Sequence, residues 1–288
     1  MNTNATLQQP LAVALSREEL YVVMRLLKAT SIPGFDLGWL KTTPGEPMAD
    51  EMRQALEVAA KALIARGYLT PLPGSPGTEA VTLGMPALVI SLVGACTFGI
   101  DSILLNLRVS GRSRLIYLHE MHGLGVMHTM PLPDVHQFEA LNGRAGVLKV
   151  IDDMLDLRTQ TAASLPAGKA PVVDVEAARD AAMSGQAEQA VELLMRGGLP
   201  GVTAQALGSA MAGASALGAI NIVKRGADGR RHEATLALVV TSTQCFTLSD
   251  EDSHPAVFYV QPTSANALRQ WINSSLPENQ DALPNVMR

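Results

Sequence analysis

The sequence predicts an α+β protein made of two copies of one unit, and three observations predict it. Leu115 to Leu141 (LIYLHEMHGLGVMHTMPLPDVHQFEAL) reads as strand, tight turn, strand and capped amphipathic helix, and Ala234 to Ile272 repeats that order. A long uncharged segment precedes each strand set, residues 81–100 in the first half and 197–223 in the second. In both halves apolar runs alternate with Gly, Asp and Pro punctuation, the pattern of hairpins.

Taken in order, residues 1–14 read as a flexible arm. Ser16 then opens a helix with a capping box: its hydroxyl accepts from the amide of Glu19 while the Glu19 side chain reaches back. Leu15 and Leu20 flank it as a staple, and Leu20, Val23, Met24 and Leu27 recur at helical spacing. The stretch SIPGFDLGWLKTTPGEP reads as a long loop because Pro33, Gly34, Pro44, Gly45 and Pro47 punctuate it. A second helix is expected from Met48 to Arg66, with Met52, Leu56, Ala59 and Leu63 inward and Gly67 as the C′ residue that ends it.

The uncharged segments 81–100 and 197–223 raise the question of membrane spans, which need about 20 apolar residues. Gly84, Pro86, Gly94 and Gly99 interrupt the first, the second is rich in Ala, Gly and Ser, and each leads into a strand set. Buried helices feeding core strands account for both. Strands follow at Ile103–Val109, Leu115–Leu118 and Val126–Met130, then at Leu217–Val223, Thr235–Val240, Cys245–Leu248 and Val257–Val260. KRGADGRR and DEDSHP read as turns. Closing helices are expected after Asp134 and Ser264 as N-caps, with Phe138 and Leu141 answering to Leu268 and Trp271. The expected division is residues 15–157 as the N-terminal half, 158–171 as a linker and 172–275 as the C-terminal half. Residues 276–288 read as a loose tail.

The 288 residues suffice for one sizeable core or two smaller ones, and 47% hydrophobic with 17% charged residues suits a folded chain. A net charge of −5 is a poor footprint for nucleic acid, which needs clustered cations against phosphate. The N-terminus has neither the basic flank nor the apolar run of a signal peptide, so a cytoplasmic protein without membrane insertion is expected. Cys96 and Cys245 lie in apolar surroundings and read as reduced, buried thiols, a single disulfide being the alternative.

His119, His122, His128 and His136 could supply metal ligands. No HExxH is present, and His136 reads as lying on a helix beyond the hairpin, so strand-edge or surface rings are the simpler reading. Asp152, Asp153 and Asp156 read as a solvated helix face, and Asp250, Glu251 and Asp252 as a charged turn. No G-x-S-x-G, phosphate loop or GxGxxG occurs, so no catalytic residue, metal or cofactor is assigned. The basic turns Arg108, Arg112, Arg114 and Lys224, Arg225, Arg230, Arg231 are candidate partner-binding rims, with solvated hairpin tips as the alternative.

With this layout in view, the chain resembles the EspG family of type VII secretion chaperones. LSREELYVVMRLL resembles the family's first helix, and AAKALIARGYLTP its helix broken by Gly before a Leu-rich segment. A strand meander then enters PLPDVHQFEAL, and the plan returns as QPTSANALRQWI; the resemblance spans about residues 15–275. It implies a quasi-twofold repeat of two α+β halves, with a central antiparallel sheet flanked by helical bundles. It also implies a cytosolic, non-enzymatic binder of a helical secretion substrate. The GFDLGWLKTTPGEP loop and the DEDSHP insertion depart from the family pattern. The alternative function is a winged-helix regulator using the first two helices, with a ligand-sensing C-terminal half; a third is an enzyme using the histidine-rich hairpin.

Overall fold

The computed structural model describes residues 11–36, 38, 49–72, 82–99, 101–157, 164–225, 231–251 and 254–276. The first half runs β1 (Ala12–Ser16), α1 (Arg17–Leu26), α2 (Asp50–Ala65), a small hairpin β2 (Thr70–Leu72) and β3 (Thr82–Gly84), and α3 (Ala87–Phe98). It continues as a meander, β4 (Asp101–Val109), β5 (Arg112–Met121), β6 (Leu124–Leu132) and β7 (Val135–Leu141), closed by α4 (Gly143–Leu155). The second half runs β8 (Gly168–Pro171), α5 (Val172–Met183), α6 (Ala187–Arg196), α7 (Gly201–Ala212), β9 (Ala216–Arg225), β10 (Arg231–Val240), β11 (Cys245–Glu251), β12 (His254–Thr263) and α8 (Ala265–Ser275). Apart from the small hairpin, the two halves have the same order: strand, three helices, four-stranded meander, closing helix.

The hydrogen-bonded strand order is β1-β7-β6-β5-β4-β9-β10-β11-β12-β8, so the two halves read alike outward from the β4–β9 pair and in opposite directions along the sheet. Each half's first strand pairs antiparallel with the last strand of its own meander, Val13 opposite Phe138 and Ala170 opposite Phe258. The fold is therefore α+β, with two α+β halves repeated about an antiparallel sheet. Packing divides the chain differently, into one compact unit of residues up to 100 with 117–147, and a second of 101–116 with 148–288.

In the first unit, Leu15, Leu20, Val23 and Met24 of β1 and α1 meet Leu63 of α2, Val89, Leu92 and Val93 of α3, and Val126 and Phe138 of the sheet. The capping box forms as expected, Glu19 N–H donating to Ser16 Oγ at 3.2 Å and Ser16 N–H donating to Glu19 Oε2 at 2.8 Å. Glu19 is buried at 6% exposure, and Arg66 reaches it from the end of α2 with contacts of 2.8 and 2.9 Å. The same guanidinium donates to the Ala14 carbonyl at 2.6 Å and lies 4.7 Å from the Tyr68 ring centroid. Gly67, at φ +72°, ends α2 as the sequence suggests.

In the second unit, α5, α6 and α7 pack Ala178, Ala182, Leu194, Ala204 and Leu207 against Val239, Phe246 and Val260 of the sheet. Both uncharged segments contain buried helices. Val89, Leu92 and Val93 of α3 and Thr203, Ala204 and Leu207 of α7 are buried. No helix among the described residues is long and apolar enough to cross a membrane. β4 and β9 pair antiparallel from Asp101 opposite Lys224 to Val109 opposite Ala216, centred on Leu105 opposite Ile220. A Cβ on Gly218 would lie 2.0 Å from the Asn106 carbonyl oxygen, so only glycine fits this strand at this register.

Several expectations are corrected. Part of the expected flexible arm is strand β1, because Val13 and Leu15 alternate inward. Part of the expected linker is β8, a four-residue strand that only its pairing with β12 reveals. Asp134 is no helix cap: it sits at φ +60° in the turn between β6 and β7, and the expected helix after it is strand β7. The three-residue spacing of Phe138 and Leu141 suggested a helix. The two-residue spacing of buried His136 and Phe138, with pairing to both β1 and β6, gives the actual structure. The first closing helix is α4, and Ser264 does cap α8, accepting from Ala267 N–H at 3.1 Å. β11 extends through Glu251, so DEDSHP is in part paired strand. Arm residues 1–10, loop residues 39–48, linker residues 158–163, turn residues 226–230 and the tail from 277 lie outside the described residues.

Two substitutions test this account. Gly218→Ala is expected to lower the unfolding free energy by about 2–4 kcal/mol, because the strand must shift to admit one methyl group. An unchanged urea midpoint would refute the close approach. Arg66→Met keeps much of the side chain's bulk but strands the buried Glu19 carboxylate, with an expected cost of about 2–3 kcal/mol, reduced because Arg66 is itself partly exposed. The matched double variant Arg66→Met with Glu19→Leu should recover most of that loss in the same urea titration.

Candidate functional site

Two constellations carry the chemistry that the sequence singles out: the basic hairpin tips and the histidines of the first meander. β4 and β5 are joined by a two-residue turn in which Ser110 (φ +48°) and Gly111 (φ +78°) both take left-handed backbone, matching the twist of the flanking strands. That turn brings the first basic group together. Arg108 is exposed near the end of β4, and Arg112 and Arg114 are exposed at the start of β5. Arg108 lies against Met183 of α5, its guanidinium 3.7 Å from Sδ. Among the described residues Arg112 and Arg114 have no carboxylate partner. A guanidinium left without a partner in water is available to a carboxylate at low desolvation cost.

The second basic group does not join the first. Arg108 stands opposite Leu217, whereas Lys224 stands at the other end of the same ladder, opposite Asp101. At the usual strand rise the two positions are about 23 Å apart. Arg225 and Arg231 face each other as backbone partners on β9 and β10, and Arg230 lies outside the described residues. The described cations of the two groups therefore belong to two separate hairpin ends.

The histidines form a buried group. His119, His128 and His136 lie on β5, β6 and β7, and each is no more than 3% exposed. His136 is a strand residue, contrary to the helical expectation, and the strand pairing places it beside His128. His128 Nε2 and His136 Nδ1 are 2.9 Å apart, one ring donating and the other accepting. His128 stacks on Phe138, with centroids 4.6 Å apart, and on Tyr117 at 5.3 Å. Phe35 meets His136 edge-on at 5.3 Å. His122 is apart from this group, exposed in the β5–β6 turn at φ +50°.

Burial pushes the His119 imidazole down to about 4. Burial holds His128 well below its ordinary value, with His119 and His136 adding to the effect and the Pro33 carbonyl opposing it. Burial also lowers His136, against a smaller upward pull from Asp134. Neutral rings packed among aromatic groups are poor proton shuttles near neutral pH. Among the described residues no group of three or more His, Cys, Asp or Glu side chains is placed to hold a metal ion.

The remaining candidates have structural roles. Asp152 is not simply solvated: it accepts from Arg269 Nε of α8 at 2.8 and 3.0 Å, and Arg269 also donates to the Leu157 carbonyl. Lys149 pairs with Asp153 one turn away. Asp250 is exposed on β11 at a register shift. Cys96 and Cys245 are free and buried, and burial pushes the Cys245 thiol up to about 12. At the two ends of α2, Arg53 pairs with Asp50 and Arg66 with Glu19.

No protein-family model and no curated protein matches the chain. A solved structure does: the Mycobacterium tuberculosis type VII secretion system chaperone EspG5, in complex with the PE25–PPE41 dimer. The match covers 93% of this chain and 98% of that chain, with a TM-score of 0.55 and 13% sequence identity. The fold is EspG-like. At this identity the likeness is one of architecture.

The buried histidines give a pH prediction. Their folded pKa values lie below the ordinary 6.5, so the unfolded chain binds more protons in acid. Their stabilisation is complete above about pH 6.5 and is lost as pH falls toward about 4. The urea midpoint is expected to drop across that window. The drop should shrink when His119 is replaced by Gln, and a flat profile would show the rings to be solvated.

Proposed function

We propose that this chain is an EspG-like chaperone or adaptor that binds a helical secretion substrate in the cytoplasm and performs no catalysis. The observation that supports the reading is the match along nearly the full length of a secretion chaperone whose solved structure contains a bound PE25–PPE41 dimer. The repeated order of elements supports it too, and suggests descent from one duplicated module with halves near 15–157 and 172–275. Such a protein keeps an aggregation-prone helical surface covered until export, and helix-in-groove binding buries the partner's apolar stripe.

The basic hairpin Arg108, Arg112 and Arg114 is the proposed polar rim of the partner site. Its exposed guanidinium groups stand out in a chain of net charge −5. Rim cations steer an acidic partner and set its register more than they add raw affinity. Lys224, Arg225, Arg230 and Arg231 are the proposed second rim for the same class of partner, with Lys224 at the end of the β4–β9 ladder away from Arg108. The winged-helix alternative loses ground on two observations. β1 ties the helix pair into the sheet, and Arg53 and Arg66 are engaged within the chain, which leaves Lys61 as the α2 cation with no pairing to an acid among the described residues.

The test is reconstitution with helical PE–PPE-type heterodimers, followed by size-exclusion chromatography and calorimetry. A stoichiometric complex is expected with at least one of them. Arg112→Glu with Arg114→Glu should weaken it at least tenfold at low salt, with a smaller difference at high salt. No complex with any such dimer would overturn the chaperone reading. A complex indifferent to the double substitution would overturn the rim assignment alone.

A further inference from the structure

Residues 29–36 carry the chain out of α1 without forming helix or strand. Their backbone is sparsely tied down: Ala29 N–H donates to Met24 O and Phe35 N–H to Ile32 O. Side chains and close approach hold the segment instead. Ile32 is buried at 3% exposure, and Phe35 packs edge-on against His136. Gly34, at φ +81°, sits so near the Tyr117 ring that a Cβ there would come within 2.4 Å of it. The segment thus lies as a strap across the ring cluster of β5, β6 and β7.

We propose that the His119, His128 and His136 cluster is an acid-released fastener for this strap: protons taken up by the cluster undock residues 29–36 while the strands beneath stay paired. The contact between His128 Nε2 and His136 Nδ1 needs one donor and one acceptor. A further proton there sets two N–H groups against each other, and the buried carboxylate oxygen nearest in sequence, Glu120 Oε1 on β5, alternates to the sheet face opposite His119 and Tyr117, so a charge among the packed rings has no carboxylate on its own face. From β5 the groups facing His128 are His119 and Tyr117, and from β7 His136. Asp134, before β7, is 60% exposed and shared with Arg17 of α1 at 3.3 Å. Glu19 of α1, in the same core, is held by Arg66. The strap itself carries Asp36, which accepts from Gly38 N–H at 2.8 Å. β1, which pairs with β7, and α3, which packs on β6 and β7, carry no charged side chain. The strands have ladder hydrogen bonds and the strap does not, so the strap is the part that yields first.

This inference does not depend on the chaperone reading, and hydrogen exchange tests it on the intact chain. With intrinsic rates corrected, the protection of the strap's Phe35 amide, bonded to the Ile32 carbonyl, is expected to fall at least tenfold between pH 7.5 and pH 5.0, while β5–β7 keep theirs. His128→Phe with His136→Leu should cut the pH response of the strap's protection at least threefold over that range, with His119 alone left to take up protons. Three results would overturn the proposal: wild-type protection that does not change, loss of protection in strap and strands together, or a double variant with the wild-type response. If that variant fails to fold, Gly34→Ala serves instead. Its Cβ collides with Tyr117, so its strap should be unprotected already at pH 7.5 and show no further drop. A full wild-type response in Gly34→Ala would equally sink the idea.

Discussion

The structure depends most on the pairing of β4 with β9. Here the meander of the first half meets that of the second, and the nine-pair ladder is centred on Leu105 and Ile220, both fully buried. Burial of two such side chains is worth about 1.5–3 kcal/mol each, and the ladder fixes which residues face inward on the strands outside it. A one-residue slip would turn every inward side chain outward. Gly218 guards against that slip, because the Asn106 carbonyl approaches there too closely for any other residue. Each half then builds outward from this seam by hairpins, and each recaptures its own first strand at the far edge.

Polar side chains in the interior serve to join elements. Arg66 joins α2 to α1 and β1 through Glu19 and the Ala14 carbonyl. Arg269 joins α8 to α4 through Asp152 and the Leu157 carbonyl, linking the closing helices of the two halves. Thr203 joins α7 to the residues before β8 by donating to the Pro166 carbonyl at 2.7 Å. Each case holds a buried or half-buried charge or hydroxyl with a partner, as a low-dielectric interior requires.

How far the sequence disclosed this fold follows from the range of each interaction. The capping box at Ser16 and Glu19, the stop at Gly67 and the cap at Ser264 are local, and all were legible. The uncharged helices α3 and α7 were legible because charge-free runs broken by Gly and Pro suit a core better than a bilayer. β1 and β8 were missed because AVALS and GKAP are too short to announce themselves and owe their strand state to β7 and β12. β7 was misread because VHQFEAL carries both a two-residue and a three-residue spacing, and only a pairing partner decides between them. The same error hid the histidine cluster, since a helix would have turned His136 away from His128. The similar order of elements in the two halves was legible, but the first closing helix was placed at Asp134, one strand too early.

An open sheet has two rims, and a rim strand offers unsatisfied amides and carbonyls to any passing chain. β1 is one of these rims. The capping box already occupies the Ser16 amide with Glu19, and Arg66 occupies the Ala14 carbonyl. A single ion pair thereby blunts the exposed border of the sheet, leaving a foreign strand little backbone to grip. That denies the chain one route by which it would itself aggregate.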